Sequence, residues 1–316
     1  YYSFYRLGDP GEYNAKFHDS NIMRLQNTGN GNLIINEISI ANPNQYKVEM
    51  PNGDAAIYPL TIAASSNLDL RIKFIGTTNN GNNGVFKSSL SILSNADNGF
   101  EFTATLHGGY APQPENGPNG VSDEINSQEV LNIFGFKTSM LSQVNENGTI
   151  NPRNNPLYSP SSNYPKAENV DAGYEGDMIL SSNFVRADES KPIIGFQIAA
   201  LHGHAEDRAR LIQPNGTAVV GNFNIPHSID WYQTLLPRNN AGEINNGQTS
   251  INGPFRIAIA TYLTSGGKNL NGDNPEELGI RVYKVINQEG DVIPNEYIVL
   301  QDFVGNGCGI GNSANC

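Results

Sequence analysis

The sequence predicts an all-β protein that consists of two antiparallel β-sandwiches. First, apolar and polar residues alternate along many short runs, as in residues 68–74, so that one side of each strand is buried and the other faces water. Second, clusters rich in Gly and Asn, such as residues 27–32, separate these runs and mark turns. Third, the Pro/Gly-rich residues 109–121 divide the 316-residue chain into two parts of ordinary domain size.

The first part, residues 1–108, contains six or seven predicted strands between residues 21 and 107, which is typical of an immunoglobulin-like sandwich. Its aromatic N-terminal residues 1–14 are predicted to form an edge strand, with pairing outside their own domain as an alternative. Three apolar series with a period of two are predicted to face the core: Leu68, Leu70, Ile72 and Phe74; Phe86, Leu90 and Ile92; Phe100, Phe102, Ala104 and Leu106.

Three segments of the first part resemble one known family. Residues 25–35 read Leu-Gln-Asn-Thr-Gly-Asn-Gly-Asn-Leu-Ile-Ile, residues 59–74 carry a second apolar series, and residues 102–108 read Phe-Thr-Ala-Thr-Leu-His-Gly. Together they resemble the Hydin-type (ASPM/SPD-2/Hydin) domains. The resemblance implies an immunoglobulin-like spacer or interaction module, and it supplies no catalytic residues.

A single short helix is predicted after the linker. Ser122 is a candidate N-cap, and the acidic residues Asp123 and Glu124 suit the first turn of a helix. Apolar residues continue to Phe134, and Gly135 is expected to end the helix.

The rest of the second part, residues 122–316, is predicted to form a jelly-roll-like sandwich. The strongest prediction is a hairpin, in which residues 280–286 and 297–303 flank a turn-rich stretch. One earlier strand is predicted to place four apolar side chains on a shared face: Ile194, Phe196, Ile198 and Ala200.

The second part also resembles a family. Residues 129–136, 198–203, 234–238, 253–257 and 280–297 are similar to an uncharacterised C-terminal domain of large bacterial secreted and surface multidomain proteins. Those relatives continue with an acidic segment, whereas this chain ends at Cys316. We therefore keep truncation at the C-terminus as an alternative to a complete domain.

Composition predicts an extracellular or cell-surface protein. The net charge of −12 argues against binding nucleic acid or an anionic membrane surface. No apolar run reaches the ~20 residues of a membrane span, so membrane insertion is not expected. The two cysteines, Cys308 and Cys316, are close in sequence and are predicted to form a disulfide, with two free thiols as the alternative.

One loop of the second part is a candidate calcium site. Carboxylates and amide oxygens are the ligands that Ca²⁺ prefers. The loop and the hairpin end offer five of them: Asn269, Asn271, Asp273, Glu276 and Asp302. The alternative is an ordinary polar turn, because no complete calcium-loop motif is present. A second acidic cluster, residues 171–177, is a weaker candidate on the same grounds.

Two histidines are a candidate transition-metal site. His202 and His204 are two residues apart at the end of a predicted strand, so their rings share a face. Ordinary surface histidines are the alternative, since no third ligand follows at a diagnostic spacing.

The only tryptophan of the chain is a candidate carbohydrate contact. Trp231 and Tyr232 offer flat rings for a sugar to stack on, and Gln233 and Arg238 offer hydrogen-bond donors nearby. A core position for Trp231 is the alternative.

No catalytic motif supports an enzyme. The chain has no G-x-S-x-G element, and neither cysteine lies beside a histidine in the sequence. We therefore predict a non-catalytic extracellular binding or adhesion module that recognises glycan or another surface polymer, with calcium as a candidate stiffening ion. One alternative is a structural subunit of an extracellular filament or sheath, which binds copies of itself. A second alternative is an accessory module of a secreted enzyme.

Overall fold

The computed structural model describes residues 1–11, 15–77, 84–112, 127–138, 179, 181, 183–200, 208–215, 218–226, 234–239, 241–259, 262–263 and 280–301. These residues form many strands and one short helix, so the all-β prediction is confirmed. The chain divides into two units. The first unit contains Tyr1–Pro112 and Asn132–Gly135, and the second contains Gln113–Leu131 and Phe136–Cys316.

The first unit is a β-sandwich of nine strands within its described residues. They are β1 (Tyr2–Leu7), β2 (Lys16–His18), β3 (Ser20–Gln26), β4 (Leu33–Ile40), β5 (Tyr46–Glu49), β6 (Leu60–Ile62), β7 (Asn67–Phe74), β8 (Gly84–Ser94) and β9 (Glu101–Ala111). One sheet has the order β2-β1-β9-β8-β4-β6, and the other has the order β3-β7-β5. Neighbouring strands are antiparallel except β1 and β9, which are parallel.

Alternation along the strands builds the core of this sandwich. On β7, Leu70, Ile72 and Phe74 are fully buried, whereas Asp69 and Arg71 lie on the opposite face. The Phe74 ring lies at the centre of an aromatic cluster with Phe4, Tyr46 and Phe86. The Tyr46 hydroxyl donates a hydrogen bond of 2.7 Å to the Phe86 carbonyl, which satisfies the one polar atom of that ring.

The structure corrects two predictions for the ends of this unit. The N-terminal aromatic residues form an inner strand of their own sheet rather than the predicted edge strand, since β1 pairs with both β2 and β9 and Phe4 is fully buried. Pairing outside the domain is therefore wrong for this segment. In addition, β9 continues to Ala111 because the parallel ladder extends to the pair Leu7 and Ala111. The first three residues of the predicted linker, 109–111, are thus strand residues.

The second unit has one helix and ten strands in its described residues. The helix is α1 (Ser127–Ile133). The strands are β10 (Ile193–Phe196), β11 (Ala199–Ala200), β12 (Arg208–Ile212), β13 (Val219–Pro226), β14 (Thr234–Leu235), β15 (Asn246–Thr249), β16 (Arg256–Ile259), β17 (Tyr262–Leu263), β18 (Ile280–Ile286) and β19 (Val292–Gln301). They form antiparallel sheets with the orders β13-β12-β16-β17, β10-β15, β11-β14 and β18-β19. The jelly-roll connectivity stays a prediction.

Helix α1 ends where the sequence predicts. Gly135 has a φ of +82°, a conformation that residues with a Cβ rarely adopt. Its N–H donates to the Asn132 carbonyl, and the N–H of Phe136 donates to the Leu131 carbonyl. This pair of bonds is the Schellman arrangement that satisfies the last carbonyls of a helix. The predicted N-cap, Ser122, lies outside the described residues.

The predicted C-terminal hairpin is present, with a tighter turn than expected. The second strand, β19, starts at Val292 rather than at Tyr297. The turn is confined to residues 287–291, where the Asn287 side chain accepts a hydrogen bond from the Asp291 N–H and Gly290 has a φ of +95°. Residues 292–296, which the sequence assigned to the turn, are therefore strand residues.

Candidate functional site

Most of the residues predicted to form sites lie outside the described residues. These are Trp231, Tyr232 and Gln233 for carbohydrate; Asn269, Asn271, Asp273, Glu276 and Asp302 for calcium; His202 and His204 for a transition metal; and Cys308 and Cys316 for the disulfide. Each of these assignments stays a prediction, as does the weaker acidic cluster at residues 171–177. Within the described ranges, no group of three or more His, Cys, Asp or Glu side chains could hold a metal ion.

Arg238 is the one predicted carbohydrate residue that the structure describes. Its exposed guanidinium donates a 2.6 Å hydrogen bond to the Gly242 carbonyl. The Asn239 side chain closes the same turn by accepting hydrogen bonds from the N–H groups of Ala241 and Glu243. Arg238 thus stabilises the turn that leads into β15.

The structure shows a different candidate site at the start of β9, in the first unit. The parallel ladder between β1 and β9 begins at Tyr2, opposite Leu106. Residues 101–104 of β9 therefore pass beyond the start of β1, while their other side pairs with β8. Within the described residues, no strand pairs with this second side of residues 101–104. We call this stretch the open edge of β9.

Two exposed aromatic side chains lie at the open edge. Phe100 is 76% exposed and Phe102 is 59% exposed. Phe102 belongs to the face of β9 that also carries the buried residues Ala104 and Leu106, and Phe100 directly precedes the strand. The alternation predicted for this strand is therefore correct, but the prediction that Phe100 and Phe102 face a core is wrong. The core covers only the later part of the face.

The opposite face of the sheet is acidic at this point. Glu101 lies opposite Leu93 on β8, and Leu93 lies opposite Glu37 on β4, so the three side chains form one row. The Ser91 hydroxyl donates a 2.7 Å hydrogen bond to the Glu101 carboxylate, which holds that side chain in place. The open edge therefore has an aromatic face and an acidic face.

Three other free edges of this sandwich, those of β2, β6 and β3, are less suited to accept a strand. The outermost strands of the larger sheet, β2 and β6, have three residues each. On the smaller sheet, the edge strand β3 carries Arg24, which forms a two-bond ion pair with Asp69. Short and charged edges are the usual protection against unwanted strand pairing. The open edge of β9 combines unpaired backbone with exposed aromatic rings instead.

One sequence signal identifies the open edge in retrospect. The turn residues 95–99 lie directly before Phe100, so Phe100 and Phe102 must be at the tip of the β8–β9 hairpin. The tip of a hairpin can extend past the opposite sheet of a sandwich, whereas the middle of the hairpin is usually covered by that sheet. Apolar residues beside a turn are therefore weaker core candidates than apolar residues in mid-strand.

Comparisons with known proteins show no family. No family model matches the chain, and no curated protein matches it. Several solved structures are similar at very low levels. The CupB2 chaperone of Pseudomonas aeruginosa has 10% identity and a TM-score of 0.26, with 91% of this chain and 94% of that chain covered. The E. coli chaperone DraB has 8% identity and a TM-score of 0.26, with 90% of each chain covered.

A third solved structure, the periplasmic chaperone SfaE, has 9% identity and a TM-score of 0.25, with 93% of this chain and 94% of that chain covered. At TM-scores this low, the matches carry no argument about what this chain does. In the part of the chain that the structure describes, no helix is long and apolar enough to cross a membrane.

Proposed function

We propose that this chain is a non-catalytic binding module of an extracellular protein, and that it holds an extended polypeptide segment along the open edge of β9. The observation that carries the proposal is the coincidence of an unpaired strand edge, residues 101–104, with the exposed rings of Phe100 and Phe102. Addition of a strand to a sheet edge is a common mode of peptide recognition.

Two kinds of interaction would stabilise the added strand. Backbone hydrogen bonds to residues 101–104 contribute about 0.5–1.5 kcal/mol each. Apolar side chains of the partner would cover Phe102 and lie against the buried Ala104, and burial of one large apolar side chain contributes roughly 1.5–3 kcal/mol. Because the edge is short, we expect weak, reversible binding of an isolated peptide.

The acidic row predicts which partner sequences are preferred. Side chains of an added strand alternate between the aromatic face and the acidic face. A preferred partner therefore has apolar residues at every second position and basic or hydroxyl residues between them, near Glu101.

The proposal keeps the adhesion role predicted from the sequence and adds a polypeptide partner. If the added strand comes from another copy of the chain, the same edge would build the extracellular filament that we considered as an alternative. The glycan contact at Trp231, the calcium loop, the disulfide and the membership of the first unit in the Hydin-type family remain separate proposals.

A capped hexapeptide that alternates Val with Lys is a suitable probe. We expect it to slow hydrogen–deuterium exchange of the backbone amides in residues 101–104. The variant Phe102→Ala should weaken binding at least tenfold in a fluorescence polarisation titration. Phe196→Ala is the matched control, because Phe196 is equally exposed, 60% against 59%, but belongs to the second unit.

Two outcomes would overturn the proposal. One is equal binding of a hexapeptide with three Val residues followed by three Lys residues, which has the same composition without the alternation. The other is equal weakening by Phe102→Ala and Phe196→Ala. Self-association of the chain that Phe102→Ala abolishes, measured by sedimentation velocity, would instead identify another copy as the source of the strand.

A further inference from the structure

A pair of glycines fixes the orientation of the β10–β15 ribbon in the second unit. Gly195 of β10 lies directly opposite Gly247 of β15. A Cβ on Gly195 would lie 2.6 Å from the Phe223 ring, and a Cβ on Gly247 would lie 2.9 Å from the Ile225 side chain. Only glycine allows the ribbon to approach β13 this closely, so this face is held against the core residues Phe223 and Ile225.

The opposite face of the ribbon consequently faces solvent. Ile194 and Phe196 alternate with Gly195 on β10 and are 52% and 60% exposed. Their partners on β15 are Gln248 and Asn246 respectively, and both are exposed. Directly opposite residues in an antiparallel pair share a face. The four side chains therefore form one surface, which we call the Phe196 face.

The Phe196 face has an unusual chemistry for a solvent-facing surface. It combines an aromatic ring and an aliphatic side chain with two amides, and none of its four side chains is charged. The Asn246 amide donates a 2.8 Å hydrogen bond to the Ile244 carbonyl. This bond uses one N–H and orients the amide, whose oxygen and second N–H can still bind a ligand.

We propose that the Phe196 face binds a neutral polysaccharide. A sugar ring has an apolar face that can stack on Phe196, while its hydroxyls are both donors and acceptors that match the amides of Asn246 and Gln248. Same-face neighbours lie about 6.6 Å apart along a strand and about 5 Å apart across it, so both amides are in reach of a sugar stacked on Phe196.

The charge of the chain favours a neutral polysaccharide over an acidic one. The net charge of −12 repels polyanions, and the Phe196 face offers no cation to compensate for that repulsion. The rigid ribbon further reduces the entropy lost on binding, since the glycine pair already holds it in position.

Affinity gel electrophoresis tests the proposal directly. We expect hydroxyethyl cellulose or laminarin, both neutral, to retard the full chain, and alginate, which is acidic, to leave its mobility unchanged. Phe196→Ala should reduce the affinity at least tenfold, and the double variant Asn246→Ala/Gln248→Ala should reduce it to a similar extent. Phe196→Trp, which keeps a flat ring, should retain binding.

Phe17→Ala is the control, because it removes an exposed phenylalanine from the first unit that belongs to neither proposed site. It should leave polysaccharide binding unchanged, and the melting temperature of each variant shows that it folds. Failure of both neutral polysaccharides to retard the wild-type chain would overturn the proposal. So would equal retardation of Phe196→Ala and wild type, or retardation by alginate alone. None of these results bears on peptide binding at the open edge of β9.

Discussion

The two units differ in how their β-sheets form a hydrophobic core. In the first unit, the nine described strands join into two continuous sheets around one aromatic cluster of Phe4, Tyr46, Phe74 and Phe86. In the second unit, the described strands form one four-stranded sheet and several two-stranded ribbons, which cover separate small clusters. A large shared core concentrates stability in a few side chains, whereas small clusters distribute it. The same substitution should therefore cost more in the first unit.

The exposed apolar rows of the two units differ in origin as well. Phe102 belongs to the core-facing side of β9 and Phe100 directly precedes that strand, and both are exposed because the core ends before them. Ile194 and Phe196 belong to the solvent-facing side of β10, because the other side is occupied by the contact of Gly195 with Phe223. The first row suits a partner that extends the sheet, and the second suits a ligand that lies on its surface.

Truncation of Phe74 should have the largest effect of the changes that we consider. Its ring is fully buried and contacts three other aromatic rings, so Phe74→Ala should lower the free energy of unfolding of the first unit by about 3–5 kcal/mol. The counterpart Phe223→Ala removes a ring from a smaller cluster of the second unit and should cost less. Denaturant unfolding followed by circular dichroism measures both.

Trp231 fluorescence separates the two units in this experiment, because the only tryptophan belongs to the second unit. Phe223→Ala should shift the unfolding transition that is seen by fluorescence. Phe74→Ala should shift a transition that is seen by circular dichroism but not by fluorescence. If Phe223→Ala proves as costly as Phe74→Ala, the contrast between one large core and several small clusters is wrong.

Acid should destabilise the first unit through His107. Burial lowers the pKa of His107 from 6.5 to about 4, although its ring also forms a 2.5 Å hydrogen bond with the Asn132 carbonyl. Lys87, directly opposite on β8, lowers the pKa further, and Tyr1 covers one side of the ring. The folded chain keeps His107 neutral at pH values where the unfolded chain already binds a proton.

The sign of this effect follows from proton linkage. Stability from His107 is fully present above pH ~6.5 and is lost as the pH falls towards ~4, because the unfolded state binds more protons in that interval. Between pH 7.5 and 4.5 the loss is roughly 2–3 kcal/mol. His107→Gln should remove this part of the pH dependence in denaturant unfolding curves. Identical pH dependence of variant and wild type would show that His107 is accessible to protons in the folded state.

The sequence predicted strands better than it predicted which strand faces are covered. Alternation is a local property, so it correctly located β7, β9 and the β18–β19 hairpin. The strand predicted to carry Ile194, Phe196, Ile198 and Ala200 on one face is instead divided into β10 and β11, which belong to different sheets. Whether a strand face is buried depends on contacts with residues that are distant in sequence. The face shared by Ile194 and Phe196 could not be assigned to solvent without knowing that Gly195 packs on Phe223. For the same reason the sequence could not show that Phe102 and Phe196 are exposed.

Glycine substitutions should have the smallest of the predicted effects and should repeat the contrast between the units. A Cβ on Gly108 would lie 2.6 Å from the Phe74 ring, as close as a Cβ on Gly195 would lie to the Phe223 ring. Overpacking of this kind typically costs about 1–3 kcal/mol.

The two rings differ in how freely they can move. Phe74 is enclosed by other aromatic rings and cannot move away, whereas Phe223 lies in a smaller cluster. Gly108→Ala should therefore be the more destabilising change in denaturant unfolding, and Gly31→Ala, whose Cβ would have no neighbour within 4 Å, should be nearly neutral. Equal costs at Gly108 and Gly195 would mean that both rings yield to the same extent, and that close packing on glycine is equally rigid in the two units.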